Sequence, residues 1–203
     1  MSIFKTKVLK SFFSYKLWLI ILILVIIQST LGQDMDNKIK ARKPDFVYND
    51  SKEFVIALKD CIKWIEKDTN VYQNVPREII IAQAIIESDY GKSRFSKVAN
   101  NLFGIRTYDL SKPHVKPLNQ TESNFGLKKY ETKCHSVEDY IKTLNTGFAF
   151  SEFRELRYKM IKNNSLDVLL LVETLSRYAS NPNYVKLIQK TIKSLDERVS
   201  NTN

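Results

Sequence analysis

One carboxylic acid stands in an almost wholly apolar segment of this 203-residue chain. Residues 79–87 read Ile-Ile-Ile-Ala-Gln-Ala-Ile-Ile-Glu, and only Gln83 and Glu87 interrupt the apolar side chains. The two are four residues apart, so in a helix they share one face. Burial disfavours the charged form of a carboxyl group and raises its pKa, as a general acid requires. Glu87 is therefore a candidate proton donor; alternatively it reaches solvent at the helix end, or pairs with Lys92 or Arg94.

The elements that would position Glu87 are mostly helices. Asp50 and Glu53 have the spacing of a capping box, and apolar residues follow at helical intervals as far as Ile65. Pro76 favours the start of a second helix, which should run to about Asp89. Further helices are predicted at about 136–145, 165–179 and 183–199. Residues 100–133 contain Gly, Pro, Asn and Ser between short apolar pieces, which predicts an irregular lobe with two or three short strands. The predicted fold class is α+β, predominantly α.

The N-terminal 32 residues have the pattern of an export signal. Four lysines and no acid precede an unbroken apolar run at 17–27. As a helix this run would rise about 16 Å, too little to cross a hydrocarbon core of about 30 Å. Thr30 and Gly32 supply small residues before a cleavage site at Gln33. We predict a signal peptide over 1–32, with an uncleaved membrane anchor as the alternative, then a linker over 33–49 and one domain over 50–199. The protein should be exported, to the periplasm or cell envelope.

Charge and metal-ligand spacing narrow the class of partner. The formal net charge is +10, and +6 remains on residues 33–203 once the four N-terminal lysines are set aside. Such a domain suits a polyanionic surface such as a bacterial wall, although solubility alone would also explain the charge. There is no Lys/Arg stripe and no nucleic-acid motif, so we expect no nucleic-acid partner.

His114 and His135 lack ligand spacing, so we expect no metal. Cys61 and Cys134 leave open a single disulfide or buried free thiols.

A longer block around Glu87 carries a family resemblance. Residues 75–105 read VPREIIIAQAIIESDYGKSRFSKVANNLFGI. This resembles the signature of the glucosaminidase family (glycoside hydrolase family 73), with its AQAxxES helix, Gly-x-Ser-x-Phe turn and Asn-Asn-Leu-Phe-Gly. Lys-Pro-Asp-Phe at 43–46 and segment 143–157 resemble the Bax-like branch, and the resemblance runs from about Pro44 to Ile192. It implies a lysozyme-like fold, in which a helical lobe faces a small irregular β-lobe across a glycan-binding groove.

The resemblance implies roles for individual residues. Glu87 falls on the catalytic glutamate, and Gln83 on a position that supports it or packs. Residues 178–184 read Tyr-Ala-Ser-Asn-Pro-Asn-Tyr, where the family has Tyr-Ala-Thr-Asp-Pro-x-Tyr. Tyr178 would therefore orient the N-acetyl group of the substrate or the water. Tyr184 either lines the groove or belongs to the core.

The other predicted substrate contacts lie close to Glu87 in the sequence. They are Tyr90, Asn100, Asn101 and Phe103, of which Tyr90 replaces the more usual Trp. The two asparagines are expected to hold the turn rather than to contact sugar, although direct contact is the alternative. Gly104 is expected to serve the backbone geometry of the turn.

Glycosidases of this kind usually need a second group besides the acid. In the family that group lies in the β-lobe some 30 to 40 residues after the acid. Glu122, 35 residues after Glu87, is our preferred candidate for it. Glu131 and then Asp109 are the alternatives, and in some relatives the acetamido group of the substrate does this work.

The implied reaction is hydrolysis of the β-1,4 bond after N-acetylglucosamine in peptidoglycan, by an endo-β-N-acetylglucosaminidase that needs no cofactor. The partners would be peptidoglycan glycan strands, and the membrane only through an uncleaved N-terminus. Two alternatives remain open: a lytic transglycosylase on the same fold, and a non-catalytic wall-binding protein.

Overall fold

The computed structural model describes residues 18–30, 43–118 and 122–200. The chain forms two compact units, residues 1–42 and residues 43–203. In the first unit residues 18–30 form helix α1. No helix in the described ranges is both long enough and apolar enough to cross a membrane. The predicted cleavage site at Gln33 and residues 33–42 of the predicted linker lie outside the described residues.

The second unit is mostly helical, with one small sheet. Its helices are α2 (Ser51–Glu66), α3 (Arg77–Ser88), α4 (Arg94–Ala99), α5 (Lys133–Thr146), α6 (Ser151–Lys162), α7 (Val168–Glu173) and α8 (Tyr184–Ser200). The strands are β1 (Arg106–Thr107), β2 (His114–Val115) and β3 (Gly126–Lys128). They form an antiparallel sheet in the order β1-β3-β2. The predicted α+β class, predominantly α, and the predicted short strands are confirmed.

The small sheet depends on a close approach of β2 to β3. His114 is paired with Lys128, and Val115 with Leu127, while β1 pairs Thr107 with Gly126. A Cβ atom added to Gly126 would come within 2.5 Å of the His114 ring. Only glycine therefore fits at the start of β3 without moving that ring.

Helix α2 begins as the sequence predicts. The carboxylate of Asp50 accepts a hydrogen bond from the amide of Glu53 at 2.8 Å, which satisfies one unpaired donor of the first turn. The Glu53 carboxylate in turn accepts from the amide of Asn49 at 2.7 Å, one residue before the position it reaches in a standard capping box. The inward face of α2 buries five apolar residues: Phe54, Ala57, Leu58, Cys61 and Ile62.

The core is built around α3. Its residues from Ile79 to Ile85 are all buried, including Gln83, and it packs against α2, α7 and α8. Each large apolar side chain buried there stabilises the fold by about 1.5–3 kcal/mol. The helix that carries Glu87 is therefore held by neighbouring helices on several sides.

A disulfide joins α2 to α5. It links Cys61 to Cys134 across a sequence separation of 73 residues, with the two Cα atoms 5.4 Å apart. Both cysteines are fully buried. The sequence left open whether the two cysteines form a disulfide or remain buried free thiols, and in the structure they form the disulfide.

Some predicted helix boundaries were wrong. Helix α5 begins at Lys133, capped by Thr132, three residues before the predicted start. Ser136 is therefore inside the helix, where its hydroxyl donates to the Lys133 carbonyl at 2.8 Å. The helix predicted over 165–179 is the six-residue α7 followed by a separate 3-10 turn at Ser176–Tyr178. Helices α4 and α6 were not predicted.

Candidate active site around Glu87

Glu87 lies in the last turn of α3, and the chain then reverses sharply. Asp89, Tyr90 and Gly91 have φ values of +49°, +52° and +76°. Such angles are unfavourable for side chains other than glycine, so surrounding contacts must hold them. The hydroxyl of Ser88 donates to the Ala84 carbonyl at 2.6 Å and accepts from the Gly91 amide at 2.8 Å. The reversal that follows Glu87 is therefore tied back to its own helix.

A buried chain of hydrogen bonds ends on Glu87. Tyr184 Oη donates to Glu87 Oε1 at 2.7 Å, and Gln83 Nε2 donates to Tyr184 Oη at 2.8 Å. Tyr140 Oη donates to Gln83 Oε1. Gln83 and Tyr140 are fully buried, and Tyr184 is 3% exposed. Because the amide of Gln83 donates to the oxygen of Tyr184, the hydroxyl proton of Tyr184 is free to point at Glu87.

The chain gives Glu87 an unusual electrostatic setting. Burial raises the pKa of Glu87, and the hydrogen bond from Tyr184 lowers it by a smaller amount, so the net shift is upward. Burial, followed by the charge of Glu87, raises the pKa of Tyr184. Tyr184 therefore remains a proton donor to the carboxyl group at neutral pH, and Glu87 holds its own proton to a higher pH than an exposed glutamate.

The second oxygen of Glu87 faces the Asn-Asn-Leu-Phe-Gly turn. Gly104 has a φ of +65°, and a Cβ atom added to it would lie 3.8 Å from Glu87 Oε2. A glycine here keeps the backbone of the turn close to the carboxyl group and adds no side chain beside that oxygen.

Two asparagines hold this turn. Asn101 Oδ1 accepts from the amides of Phe103 and Ile105 at 3.3 and 3.1 Å, and its Nδ2 donates to the carbonyls of Ile105 and Lys128 at 3.0 and 2.9 Å. Asn100 Nδ2 donates to the carbonyls of Tyr130 and Glu131 at 3.1 and 2.9 Å. Asn101 therefore connects the turn to the last residue of β3, and Asn100 connects it to the chain just beyond β3. Asn101 is only 1% exposed.

Three of the residues predicted to contact substrate have buried side chains: Asn101, Phe103 and Tyr184. The Phe103 side chain is 2% exposed and stacks on Tyr140 with ring centroids 4.1 Å apart, so it packs in the core. Asn101 and Tyr184 are similarly enclosed. Their polar atoms act within the protein, on the turn and on Glu87.

Two further predicted residues keep some exposure. Tyr178 is partly buried, its hydroxyl donates to the Phe103 carbonyl at 3.0 Å, and its ring is parallel to that of Tyr184 at 5.8 Å. The charge of Glu87 contributes to a raised pKa of Tyr178, after the larger effect of burial. Tyr90 is partly buried and its ring packs edge-on against Phe54 at 6.0 Å.

The candidates for a second carboxylate lie at the surface. Glu122 is exposed. The Glu131 side chain is 85% exposed and lies 4.0 Å from Nε2 of His135. Asp109 accepts from the hydroxyl of Ser111 at 2.6 Å, and hydrogen bonds from Ser111 lower its pKa.

Asp139 is a site neighbour that the sequence analysis did not single out. Its Oδ2 accepts from Lys128 Nζ at 2.8 Å and from Tyr130 Oη at 2.6 Å. The charge of Asp139 contributes to the raised pKa of Tyr178, so it lies within electrostatic reach of the same tyrosine as Glu87. The contacts of Asp139 come from a different element, which is why spacing along α5 alone could not identify it. Within the described part of the chain, no cluster of three or more His, Cys, Asp or Glu residues could hold a metal ion.

Comparisons with known proteins place this geometry in context. Residues 63–197 match the glucosaminidase family model, described as mannosyl-glycoprotein endo-beta-N-acetylglucosaminidase. An N-acetylmuramoyl-L-alanine amidase domain-containing protein of Staphylococcus aureus is 31% identical over 155 residues, 71% of this chain and 24% of that protein. The exo-glucosaminidase LytG of Bacillus subtilis is 30% identical over 129 residues, 58% of this chain and 43% of that protein.

A solved structure has the same fold. The catalytic domain of the autolysin Auto from Listeria monocytogenes aligns with a TM-score of 0.54 and 24% identity, covering 82% of this chain and 94% of that domain. The chain spans half or less of the length of the curated relatives it matches.

Proposed function

Because the chain belongs to the glucosaminidase family, we propose that it is a peptidoglycan hydrolase and that Glu87 is its proton donor. The observation that carries this proposal is the setting of Glu87, a half-buried carboxyl group with a raised pKa and a single tyrosine donor on one oxygen. A carboxylic acid that keeps its proton to a higher pH than an exposed glutamate can protonate the oxygen of a glycosidic bond.

The two oxygens of Glu87 have different roles in this proposal. Oε1 accepts from Tyr184, so the proton of the neutral acid resides on Oε2, beside Gly104. The glycosidic oxygen would be protonated from that side. When the bond breaks, Glu87 becomes a carboxylate and its hydrogen bond from Tyr184 becomes charge-assisted, hence stronger. Tyr184 therefore favours the state that forms during the reaction over the state that precedes it.

We propose that Tyr178 positions the substrate. Its hydroxyl proton is used in the bond to the Phe103 carbonyl, so the oxygen is left to accept a further hydrogen bond. The amide N–H of an N-acetyl group and the attacking water are both donors that this oxygen could receive.

For the second catalytic group we propose Glu122, which is exposed in the segment between β2 and β3. Glu131 and the acetamido group of the substrate remain the alternatives. The separation between the two carboxyl groups in a substrate complex would distinguish the mechanisms, at about 5–5.5 Å for retention and about 6.5–9.5 Å for inversion.

We further propose that cleavage follows N-acetylglucosamine within the strand, and that residues 1–32 export the protein to the cell envelope, as a cleaved signal peptide or as an anchor. The Cys61–Cys134 disulfide supports export, since such bonds persist in oxidising compartments. One relative, of Salmonella typhimurium, is named a peptidoglycan hydrolase, in keeping with the proposed substrate.

The decisive experiment is product analysis from purified peptidoglycan. Residues 33–203 would be compared with the Glu87→Gln variant, and the released muropeptides reduced and identified by mass spectrometry. We expect reducing N-acetylglucosamine ends from the parent protein and a loss of at least about 10²-fold in the variant. Anhydro-muramic ends would instead identify a lytic transglycosylase. No product from folded protein on several walls would favour the wall-binding alternative.

A further inference from the structure

A second feature of the domain is a groove between the sheet and α5. It has a volume of about 720 Å³, and we call it the β-lobe groove. One wall consists of residues 106–109, 112–113 and 128–130, and the other of His135, Glu138, Asp139 and Lys142. The four residues of α5 are spaced three, four and seven positions apart, so they present one face of the helix.

The β-lobe groove begins beside the Glu87 site. Arg106, in its wall, is two residues beyond Gly104, so their Cα atoms are at most about 7.6 Å apart. Asn101 holds the glycine turn and also binds the carbonyl of Lys128 in the opposite strand of the wall. Tyr178 lies within electrostatic reach of both Glu87 and Asp139. A polymer with one unit at Glu87 could therefore place its next substituents in the groove.

The groove has an excess of positive charge that the protein leaves unpaired. Two of its cations have partners within it, as Lys112 lies 3.4 Å from Asp109 and Lys128 lies 2.8 Å from Asp139. Glu138 pairs with Lys43, outside the groove. Three lining cations have no carboxylate partner among the residues that the structure describes: Arg106, Lys129 and Lys142.

The position of these cations points to a ligand that carries carboxylates. The alternating amino sugars of a peptidoglycan strand are uncharged once the lactyl groups are joined to peptides, and the negative charge resides on the stem peptides. A neutral glycan could accept hydrogen bonds from lysine and arginine but carries no opposite charge, so an excess of cations favours a ligand with carboxylates. Tyr108, 68% exposed at the groove, adds an apolar surface of the kind that peptide side chains contact.

We propose that the β-lobe groove binds the carboxylates of peptidoglycan stem peptides while the attached glycan occupies the Glu87 site, an inference that rests on the proposed function. The groove would then select strands that still carry peptides over strands from which the peptides have been removed. Because its cations are exposed, this selection should weaken as salt is added.

The test compares two glycans and two charge-matched variants. Purified strands free of attached phosphate polymers are used with their stems, and again after an amidase has removed the stems and the lactyl carboxylates that it frees have been converted to neutral amides. Lys129→Gln/Lys142→Gln removes two groove cations, and Lys159→Gln/Lys162→Gln removes two exposed cations from α6, away from the groove. The readout is the ratio of kcat/KM on stem-bearing strands to kcat/KM on stripped strands.

We expect the groove variant to lower this ratio by about threefold to tenfold, in line with the value of exposed ion pairs, and the α6 variant to leave it unchanged. A ratio that is the same in all three proteins would overturn the proposal, as would an equal loss in both variants. If the parent protein cleaves neither glycan, the proposed function fails. Sedimentation of the Glu87→Gln protein with each glycan then decides on the groove alone, since a groove site predicts salt-sensitive retention on stem-bearing strands only.

Discussion

At the scale of single residues, the site is defined by how few partners Glu87 has. Among the described residues its carboxyl group accepts from one donor, Tyr184, and its other oxygen lies beside Gly104. A carboxyl group with several donors would lose its proton early, whereas Glu87 is held by one hydrogen bond in a setting that disfavours charge. In the proposed mechanism Tyr184 therefore positions Glu87 and moderates the rise in its pKa that burial causes.

Replacing Tyr184 by Phe separates these two effects. The hydrogen bond lowers the pKa of Glu87, so its loss should raise that pKa further. Because activity requires the protonated acid, the decline in kcat/KM on the alkaline side should move to higher pH. The maximal rate should fall about 10- to 100-fold, since the carboxylate formed in the reaction loses a charge-assisted bond. A pH profile of both proteins measures this.

Tyr72→Phe is the matched control, because Tyr72 is a surface tyrosine that packs on Tyr158. Its profile should coincide with that of the parent. If the alkaline limb of Tyr184→Phe moved to lower pH, the hydrogen bond would not have the assigned direction.

At the scale of elements, the turn at 100–104 depends on one buried side chain. Asn101 makes four hydrogen bonds that together join the turn, the start of β1 and the end of β3. The strands are two or three residues long, so few bonds of their own hold them. The small lobe is consequently fastened to the helical body as much by asparagine amides as by its sheet.

Asn101→Ala should therefore destabilise the domain by about 2–4 kcal/mol, because it leaves buried backbone groups without partners. Asn163→Ala removes an exposed asparagine that follows α6, and should change stability by no more than about 0.5 kcal/mol. Chemical denaturation of both variants measures the difference. Equal stabilities would mean that water or rearranged backbone replaces the amide of Asn101.

Elements with a strong local pattern could be predicted from the sequence, and the others could not. Helices α2, α3 and α8 combine an apolar face with a clear start, and Glu87 is conspicuous because α3 is otherwise apolar. Helix α6 buries only Phe153, Arg157 and Met160, which is too weak a stripe to detect. Hydrogen bonds between distant segments, such as Gln83 with Tyr140 or Asp139 with Tyr130, leave no pattern in the local sequence. The burial of Phe103 leaves none either.

At the scale of the whole molecule, α5 connects the separate parts of the proposed machinery. One face carries Tyr140, which donates to Gln83, and another lines the β-lobe groove. Its first turn contains Cys134, bonded to Cys61 of α2. The disulfide therefore fixes α5. One face of this helix supports the side chains that hold Glu87, and another face forms a wall of the β-lobe groove.

Loss of this bridge should be costly for stability. A loop of 73 residues corresponds to about 4 kcal/mol of stabilisation in the chain-entropy estimate. Cys61→Ala/Cys134→Ala should unfold at markedly lower denaturant concentration than the oxidised parent, and reductant should affect the parent but not the variant. Coincident unfolding curves for the variant and the oxidised parent would contradict a stabilising role for the bridge.

The hydrogen-bond chain behind Glu87 also has a consequence for the movement of protons. Hydroxyl groups can pass a proton along by exchanging donor and acceptor roles, but the amide of Gln83 has a fixed donor end and a fixed acceptor end. It therefore interrupts conduction between Tyr140 and Tyr184. The buried hydrogen bonds behind Glu87 therefore orient its carboxyl group but do not deliver a proton to it. In the proposed mechanism each proton that Glu87 gives up therefore returns from the solvent side, through the opening that admits the glycan and the water.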